Sequence, residues 1–150
     1  NELSWYCMYG DPHWDADELW TTMGHLYKGG MWLKKKSVLQ SEGHYNTEIS
    51  ANGTTDMRTT FKPYANNNIS TSTLPSASAS QYFYLPALGY YDYGKLYHTG
   101  SYVWYWSSSA YLWNNIHAYG FCLRSSNISL TSYERYHGNI ARPFSDFGDN

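Results

Sequence analysis

The sequence predicts one α+β domain, in which one or two helices pack on small, twisted, mostly antiparallel sheets joined by long ordered loops. Its 150 residues are enough to bury one hydrophobic core, and a chain of this length favours one domain over two. Glycine-punctuated strand patterns fill the second half, whereas the first third contains a helix-start signal. These two patterns together favour separate helical and sheet regions around one core.

The first third carries signals for both kinds of element. Residues 3–9 are apolar or aromatic at nearly every position, which predicts a buried strand before the turn at 10–12. Asp15 and the acids that follow it are typical of an N-cap and a first helical turn. We therefore predict a helix from Asp15 to about Tyr27, ended by the glycines at 29–30.

The stretch 40–80 is polar and rich in turn-forming dipeptides. We expect one or two short strands or helical turns in an otherwise ordered loop, because compact domains rarely carry so long an unstructured stretch. The end of this stretch divides the domain into two parts, about 1–80 and about 81–150.

The second half contains short runs of aromatic and β-branched residues between glycines and other turn formers. They predict strands at 102–106, 118–124, 128–131 and 140–144. In the second of these strands the residue types alternate, which assigns successive side chains to opposite faces of a sheet. The core face is predicted to carry Tyr119, Phe121 and Leu123. The other face, which we expect to be available for contact, carries Gly120, Cys122 and Arg124.

Tyrosine dominates the aromatic residues of this chain. There are 17 tyrosines and 7 tryptophans against 5 phenylalanines, and 12 of the tyrosines follow residue 81. Tyrosine and tryptophan are favoured where one end of the ring is apolar and the other wet, and a mixture of Tyr, Ser, Gly and Asn is typical of antibody-type binding surfaces. The composition therefore indicates a recognition protein.

Charge and hydropathy exclude several other classes. A net charge of −2 with 15% charged residues offers no basic field for a phosphate backbone, so nucleic-acid binding is disfavoured. No run approaches the roughly 18 apolar residues of a membrane span, so direct membrane insertion is not expected.

None of the cysteines, acids and histidines stands in a catalytic or metal-binding pattern. Cys7 and Cys122 form neither a redox pair nor a zinc set, and two free thiols are favoured over a disulfide. The acids between Asp11 and Glu18 lack the spacing of a calcium loop and are better explained as helix-start charges. The histidines lack zinc spacing, and no nucleophile motif is present. We expect no metal, no cofactor and no catalytic residues.

Several motifs occur in an order that spans most of the chain. These are the opening at 11–20, YLPALG at 84–89, WYWSSS at 104–109 and the ending R-x-x-G-x-x-x-R-P-F at 135–144. Together they resemble the C-type-lectin-fold domains of gut Bacteroidales surface proteins, many of which are variable proteins of diversity-generating retroelements. The resemblance implies a C-type lectin-like fold with a scaffold half at about 1–80 and a diversified half at about 81–150.

In such systems, copying errors at adenines convert AAC asparagine codons into codons for a spread of residues rich in Tyr, Ser, His, Asp and Asn. Trp104, Trp106 and Trp113 cannot arise in this way and are assigned to the scaffold, although Trp113 is also expected to line the site. Sugar-binding C-type lectins hold calcium through carboxylates beside a Trp-Asn-Asp motif. The nearest match here, Trp113-Asn114-Asn115, lacks the acid, so calcium-dependent sugar binding by that route is not expected. The ligand-binding residues that the resemblance implies are Tyr97, His98, Ser101, Tyr102, Trp113, Asn114, Asn115, Ile116, His117, Gly120, Cys122, Arg124, Ser132, Tyr133, Glu134, Tyr136, His137 and Asn139.

The resemblance implies a domain that binds a macromolecular partner, a protein in the first place, with these residues on one exposed face. It also implies an extracellular or cell-surface location, as part of a larger protein anchored in the outer membrane, or a place on a phage particle. The alternative is a structural or adhesin tip module of a surface appendage, whose aromatic face docks on a neighbouring domain. An enzyme is the third hypothesis, which a deep pocket with strongly shifted pKa values would support.

Overall fold

The computed structural model describes residues 1–22, 24–92, 95–110 and 117–134. The backbone alone is described for Thr22, 90–92, Leu96, 106–110, His117 and 133–134. In chain order the helices and strands are α1 (Glu2–Tyr9), β1 (His13–Thr22), β2 (His25–Lys34), α2 (Lys36–Ser41), β3 (Tyr64–Asn66), a 3₁₀ helix (Ser76–Gln81), β4 (Tyr82–Pro86), β5 (Tyr90–Asp92), β6 (Lys95–Tyr97), β7 (Tyr102–Ala110), β8 (His117–Arg124) and β9 (Asn127–Glu134).

The strands form three small sheets. One sheet has the order β1-β2-β4, the second has the order β3-β9-β8-β7, and β5 pairs with β6 alone. Every described strand pair is antiparallel. This confirms the predicted α+β class with small antiparallel sheets and few helices.

One buried cluster joins the two larger sheets to the helices. It draws residues from α1, β2, β4, β7, β8 and β9, so that neither sheet has a core of its own. Its members are Leu3, Tyr6, Cys7, Met31, Leu33, Leu39, Met57, Phe83, Leu85, Val103, Tyr105, Tyr119, Phe121, Leu123, Ile128 and Leu130.

The prediction of a strand at residues 3–9 is wrong, because this segment forms the helix α1. Residues 3–7 are all buried in it, whereas Met8 and Tyr9 are exposed. A helix of two turns that is covered on most sides leaves the same continuous apolar run in the sequence as a buried strand, so periodicity cannot separate the two.

The predicted helix from Asp15 to Tyr27 is also wrong, because residues 15–22 lie in β1 and residues 25–27 begin β2, which pairs with β1 as a hairpin. The Asp15 Oδ1 atom accepts hydrogen bonds from the backbone N–H groups of Asp17 and Glu18, each at 3.0 Å. An N-cap aspartate makes the same contacts to the second and third residues after it. Here they stabilise an irregularity in β1, where the pairing register with β2 shifts between Asp15 and Leu19.

The glycines at 29–30 lie inside β2 and do not end a helix. Gly29 has a φ of +105°, and a Cβ atom there would collide with the carbonyl oxygen of Gly100. Glycine is required at this position because two backbones approach each other closely. The hairpin and the turn before β7 are thereby held in contact.

The stretch between α2 and β4 is the ordered loop that the sequence predicts, with the short strand β3 and one 3₁₀ turn. Side chains hold its backbone: the Asn52 Oδ1 atom accepts hydrogen bonds from the N–H groups of Thr54 and Thr55. None of the helices in the described ranges is long and apolar enough to cross a membrane.

Candidate functional site

The four-stranded sheet has one face in the core and one face away from it. Val103 on β7 pairs with Leu123 on β8, and both are fully buried in the core cluster. Tyr102 pairs with Arg124 and Trp104 with Cys122, and these four side chains alternate with the core residues. We call this second side of the sheet, defined by Tyr102, Trp104, Cys122 and Arg124, the aromatic face.

Arg124 and Tyr102 form the centre of the aromatic face. The Arg124 Nη2 atom donates a hydrogen bond to the Tyr102 hydroxyl at 3.2 Å, and the guanidinium carbon lies 4.5 Å from the centre of the tyrosine ring. A cation against a ring at this distance contributes about 0.5–1 kcal/mol at an exposed site. Among the described residues no carboxylate pairs with Arg124, whose described side-chain contacts are with Tyr102 and Cys122.

The ionisation of this pair is set by its surroundings. Burial, and then contact with the Cys122 thiol, raises the pKa of Tyr102, so the phenol stays neutral at physiological pH. The hydrogen bond with Tyr102 raises the pKa of Arg124, which stays charged. The face therefore presents a fixed cation beside a neutral ring.

A tight turn before β7 brings three further predicted residues to the same corner. The His98 carbonyl oxygen accepts hydrogen bonds from the backbone N–H groups of Ser101 and Tyr102, both at 3.1 Å. His98 has a φ of +57°, in the left-handed region where Asn, Asp and His are enriched among non-glycine residues. Its ring centre lies 5.9 Å from that of Tyr102, and Tyr97 just before it is 40% exposed.

Main-chain hydrogen bonds fix this turn to its neighbours. The N–H group of Gly100 donates to the Ala87 oxygen and the N–H group of Gly89 donates to the Tyr102 oxygen, each at 2.7 Å. Because these bonds use backbone atoms, the position of the turn depends little on which side chains its residues carry.

The structure therefore brings five of the predicted site residues together at one corner. Tyr97, His98, Ser101 and Arg124 are exposed there, around the largely buried Tyr102.

Two predicted residues lie on the aromatic face without being accessible. Cys122 is 2% exposed and Gly120 is buried, so the expectation that they are available for contact is wrong. The thiol of Cys122 lies against the side chains of Tyr102 and Arg124, which cover it. Alternation along a strand predicts the face of a residue, but it does not predict how far larger neighbours on adjacent strands cover it.

Ser132 departs from the prediction in another way. It pairs with Tyr119 and shares the alternation of Leu130, which places it on the core side of the sheet. The prediction that all site residues share one face is therefore wrong for Ser132. The predicted strand ended at residue 131, whereas β9 continues to Glu134, so the alternation of Ile128 and Leu130 extends to Ser132.

The remaining predicted residues are described in part or not at all. His117 pairs with Glu134 and Tyr133 with Ala118 in the β8–β9 ladder, and for these three site residues the backbone alone is described. The predicted strand at 140–144 and several site residues lie outside the described residues: Trp113, Asn114, Asn115, Ile116, Tyr136, His137 and Asn139.

Sequence reasoning missed one residue of the aromatic face. Trp104 was assigned to the scaffold, yet its ring centre lies 5.6 Å from that of Tyr102 on the same face. The alternation of Tyr102, Val103 and Trp104 along β7 was the signal that could have found it.

Both cysteines are free, as the sequence predicts, and both are buried. The Cys7 thiol lies 3.8 Å from the Ile128 carbonyl oxygen, and burial raises its pKa to about 12. Among the described residues no group of three or more His, Cys, Asp or Glu side chains is placed to hold a metal ion.

Comparison with known proteins identifies no relative of this chain. The chain matches no protein-family model, no curated protein and no solved structure. What the chain binds has to be inferred from its own residues and their geometry.

Proposed function

We propose that this chain is a C-type lectin-like binding domain whose aromatic face recognises a protein partner at a cell or phage surface. We further propose that it is the variable protein of a diversity-generating retroelement, in which the exposed residues of this face are diversified. The observation that carries the proposal is the convergence of Tyr97, His98, Ser101, Tyr102 and Arg124 at one corner. The domain acts by binding and not as an enzyme.

The chemistry of this corner suits a protein partner. Tyrosine and arginine are enriched among the residues that dominate protein–protein binding energies. Arg124 is charged and has no described carboxylate partner, so a carboxylate or carbonyl group of the partner completes its hydrogen bonds. A single arginine on this face is too little charge for a phosphate backbone.

The backbone of the corner suits diversification. The turn and the strand ladder are held by main-chain hydrogen bonds, so exposed side chains can change while the fold is kept. His98 supports the same idea, because asparagine, the proposed template residue, is among the best non-glycine residues for its positive φ.

The genetic part of the proposal is tested by sequencing around the gene. We expect a near-copy of the segment coding for residues 89–144 beside a reverse transcriptase gene, with differences concentrated at adenines. If no such copy exists, the chain is not the variable protein of a retroelement, and the binding proposal is then judged by the next experiment alone.

The binding part is tested with two displayed libraries. The first varies Tyr97, His98, Ser101 and Arg124, and the second varies four exposed residues away from the face: Ser37, Gln40, Thr54 and Thr60. Both are selected against one panel of purified proteins. We expect folded, specific binders mainly from the first library, and equal yields from the two would contradict the proposal.

A further inference from the structure

A groove of about 440 Å³ lies beside β1, in a part of the chain that the proposed function does not use. One wall consists of residues 13–18 and the other includes the loop 71–74, with the indole of Trp32 between them. We call it the acidic groove.

Main-chain bonds hold the two walls together. The N–H group of Trp14 donates to the Ser70 oxygen at 2.8 Å, and the N–H group of Ser70 donates to the Pro12 oxygen at 2.9 Å. His13 adds a contact between its Nδ1 atom and the Ser72 oxygen at 3.4 Å. The groove is thus a feature of the folded chain and does not depend on a mobile side chain.

Asp15 shapes the acidic groove from within. Its Oδ1 atom holds the backbone of the next residues, and its Oδ2 atom accepts a hydrogen bond from the Trp32 Nε1 atom at 3.2 Å. The irregularity that results places Asp17 and Glu18 at the mouth of the groove, where both are exposed. No described side chain pairs with either of these two carboxylates.

The lining has a strong electrostatic bias. It contains the carboxylates of Asp15, Asp17 and Glu18, and none of its described residues is a lysine or an arginine. This charge affects the nearby Tyr84, whose pKa is raised by burial and then by the charges of Asp15 and Glu18. Carboxylates only accept hydrogen bonds, so the groove favours a ligand that donates them and carries positive charge.

The indole of Trp32 separates this arrangement from an exposed acidic cluster. Trp32 lines the groove and is partly buried, whereas Trp14 pairs with the core residue Met31 and packs its side chain against the core. Tryptophan attracts cations over its ring more strongly than the other aromatic residues. Trp32 is held in place by its bond to Asp15 and by the ring of Tyr84, whose centre lies 5.1 Å from its own.

We propose that the acidic groove is a second binding site, which takes the ammonium or guanidinium group of an organic ligand between the indole of Trp32 and the carboxylates of Asp17 and Glu18. A free polyamine and a basic side chain of a peptide share this chemistry. A neutral sugar fits less well, because it brings no positive charge to the carboxylates of Asp15, Asp17 and Glu18. The site is independent of the aromatic face.

The test follows the indole N–H signal of Trp32 in two-dimensional NMR spectra of ¹⁵N-labelled protein, assigned with Trp32→Phe. Spermidine and a lysine-containing tripeptide serve as cationic probes, maltotriose as a neutral probe and Ca²⁺ as a metal probe. We expect both cations to shift the Trp32 signal, with an affinity that falls as salt is added. The indole signal of Trp5, which is bonded to the Ile49 oxygen, is the internal control and stays in place.

Variants identify the groups responsible. Asp17→Asn combined with Glu18→Gln is expected to weaken spermidine binding by roughly fivefold or more, since each exposed ion pair contributes about two- to fivefold. Glu48→Gln removes one carboxylate outside the groove and is expected to leave the affinity unchanged. Arg124→Met, on the aromatic face, is also expected to leave it unchanged.

The comparison of probes decides the outcome. Tighter binding of the tripeptide than of spermidine identifies a protein side chain as the ligand, and the reverse identifies a free amine. An undiminished affinity of the double variant for spermidine, a larger Trp32 shift with maltotriose, or binding of Ca²⁺ alone would overturn the proposal.

Discussion

The acidic groove and the aromatic face depend on side chains to different extents. Main-chain bonds join the two walls of the groove, but the irregularity in β1 that shapes it is held by a side chain, because the carboxylate of Asp15 bonds two main-chain N–H groups and the indole of Trp32. On the aromatic face, the backbone is held by main-chain bonds, and the side chains of Tyr102 and Arg124 mainly contact each other. The groove therefore depends on residue identity, whereas the face is expected to tolerate substitution.

The largest effect is expected just beneath the aromatic face. Phe121 is fully buried, and Phe121→Ala is expected to lower the free energy of unfolding by about 3–5 kcal/mol, because it leaves a cavity between tightly packed neighbours. Arg124→Ala, on the same strand but the opposite face, is expected to cost no more than about 1 kcal/mol. Urea denaturation of both variants makes the measurement, and similar losses would show that the face is not exchangeable.

The contact that joins the two regions gives the next effect. In Gly29→Ala the new Cβ atom collides with the Gly100 oxygen at a strained φ, and a loss of up to about 3 kcal/mol is expected. Gly53→Ala is the matched control: its φ is also positive, at +78°, but the space around it is open. We expect Gly53→Ala to lower the free energy of unfolding by about 1 kcal/mol, because of the strained backbone conformation alone. Equal midpoints in urea would mean that the close approach of the two backbones is unimportant.

Within the groove, one aspartate is structural and its neighbour is not. Asp15→Ala removes three charged hydrogen bonds and is expected to cost about 1–2 kcal/mol in the free energy of unfolding. Asp17→Ala removes an exposed carboxylate with no described partner, so the free energy of unfolding of this variant is expected to stay within about 0.5 kcal/mol of the parent. Thermal and urea unfolding compare the two, and a tolerated Asp15→Ala would remove the contrast with the aromatic face.

The smallest effect is a dependence of stability on pH next to the groove. Burial alone would raise the pKa of Asp11, but hydrogen bonds from Tyr82, at 2.6 Å, and from His13 more than offset it and lower that pKa. The resulting stability is present above the unfolded pKa of about 3.9 and is lost as the pH falls through the lower folded pKa. Because the Asp11 side chain is half exposed, we expect a contribution below about 1 kcal/mol.

Asp11→Asn is therefore expected to be less stable than the parent at pH 6, with a difference that shrinks towards pH 3. Tyr82→Phe, which removes one of the two hydrogen bonds, is expected to show part of the same trend. Urea unfolding across this pH range makes the comparison, and a difference that grows as the pH falls would contradict the assignment.

The predictions from sequence succeeded where the pattern was local. Strands β7, β8 and β9 were expected from short runs of aromatic and β-branched residues between turn formers, and Tyr119, Phe121 and Leu123 lie in the core as the alternation of β8 predicts. They failed in the first third, because the hydrogen bonds of Asp15 serve a helix start and a strand irregularity equally well. There the ring of Trp20 stacks on that of Tyr27 across the hairpin, with centres 5.0 Å apart.

The candidate site was also predicted only in part. Tyr97, His98, Ser101, Tyr102 and Arg124 do converge, since four of them are close in sequence and the alternation of β8 gives the face of the fifth. The burial of Cys122 was not predictable, because it depends on cross-strand neighbours. The core face of Ser132 follows from the alternation of Ile128 and Leu130 once β9 is extended beyond residue 131.

The sequence by itself determined the strands of the second half, the alternation of β8 and the concentration of tyrosine there, because each depends on residues that are near neighbours along the chain. The tertiary structure decided that Trp14 meets Ser70, that Gly29 meets Gly100 and that Asp15 meets Trp32. These contacts join segments that are distant in sequence, and no local pattern specifies which distant partner a residue finds. The groove and the corner of the aromatic face both arise from such contacts.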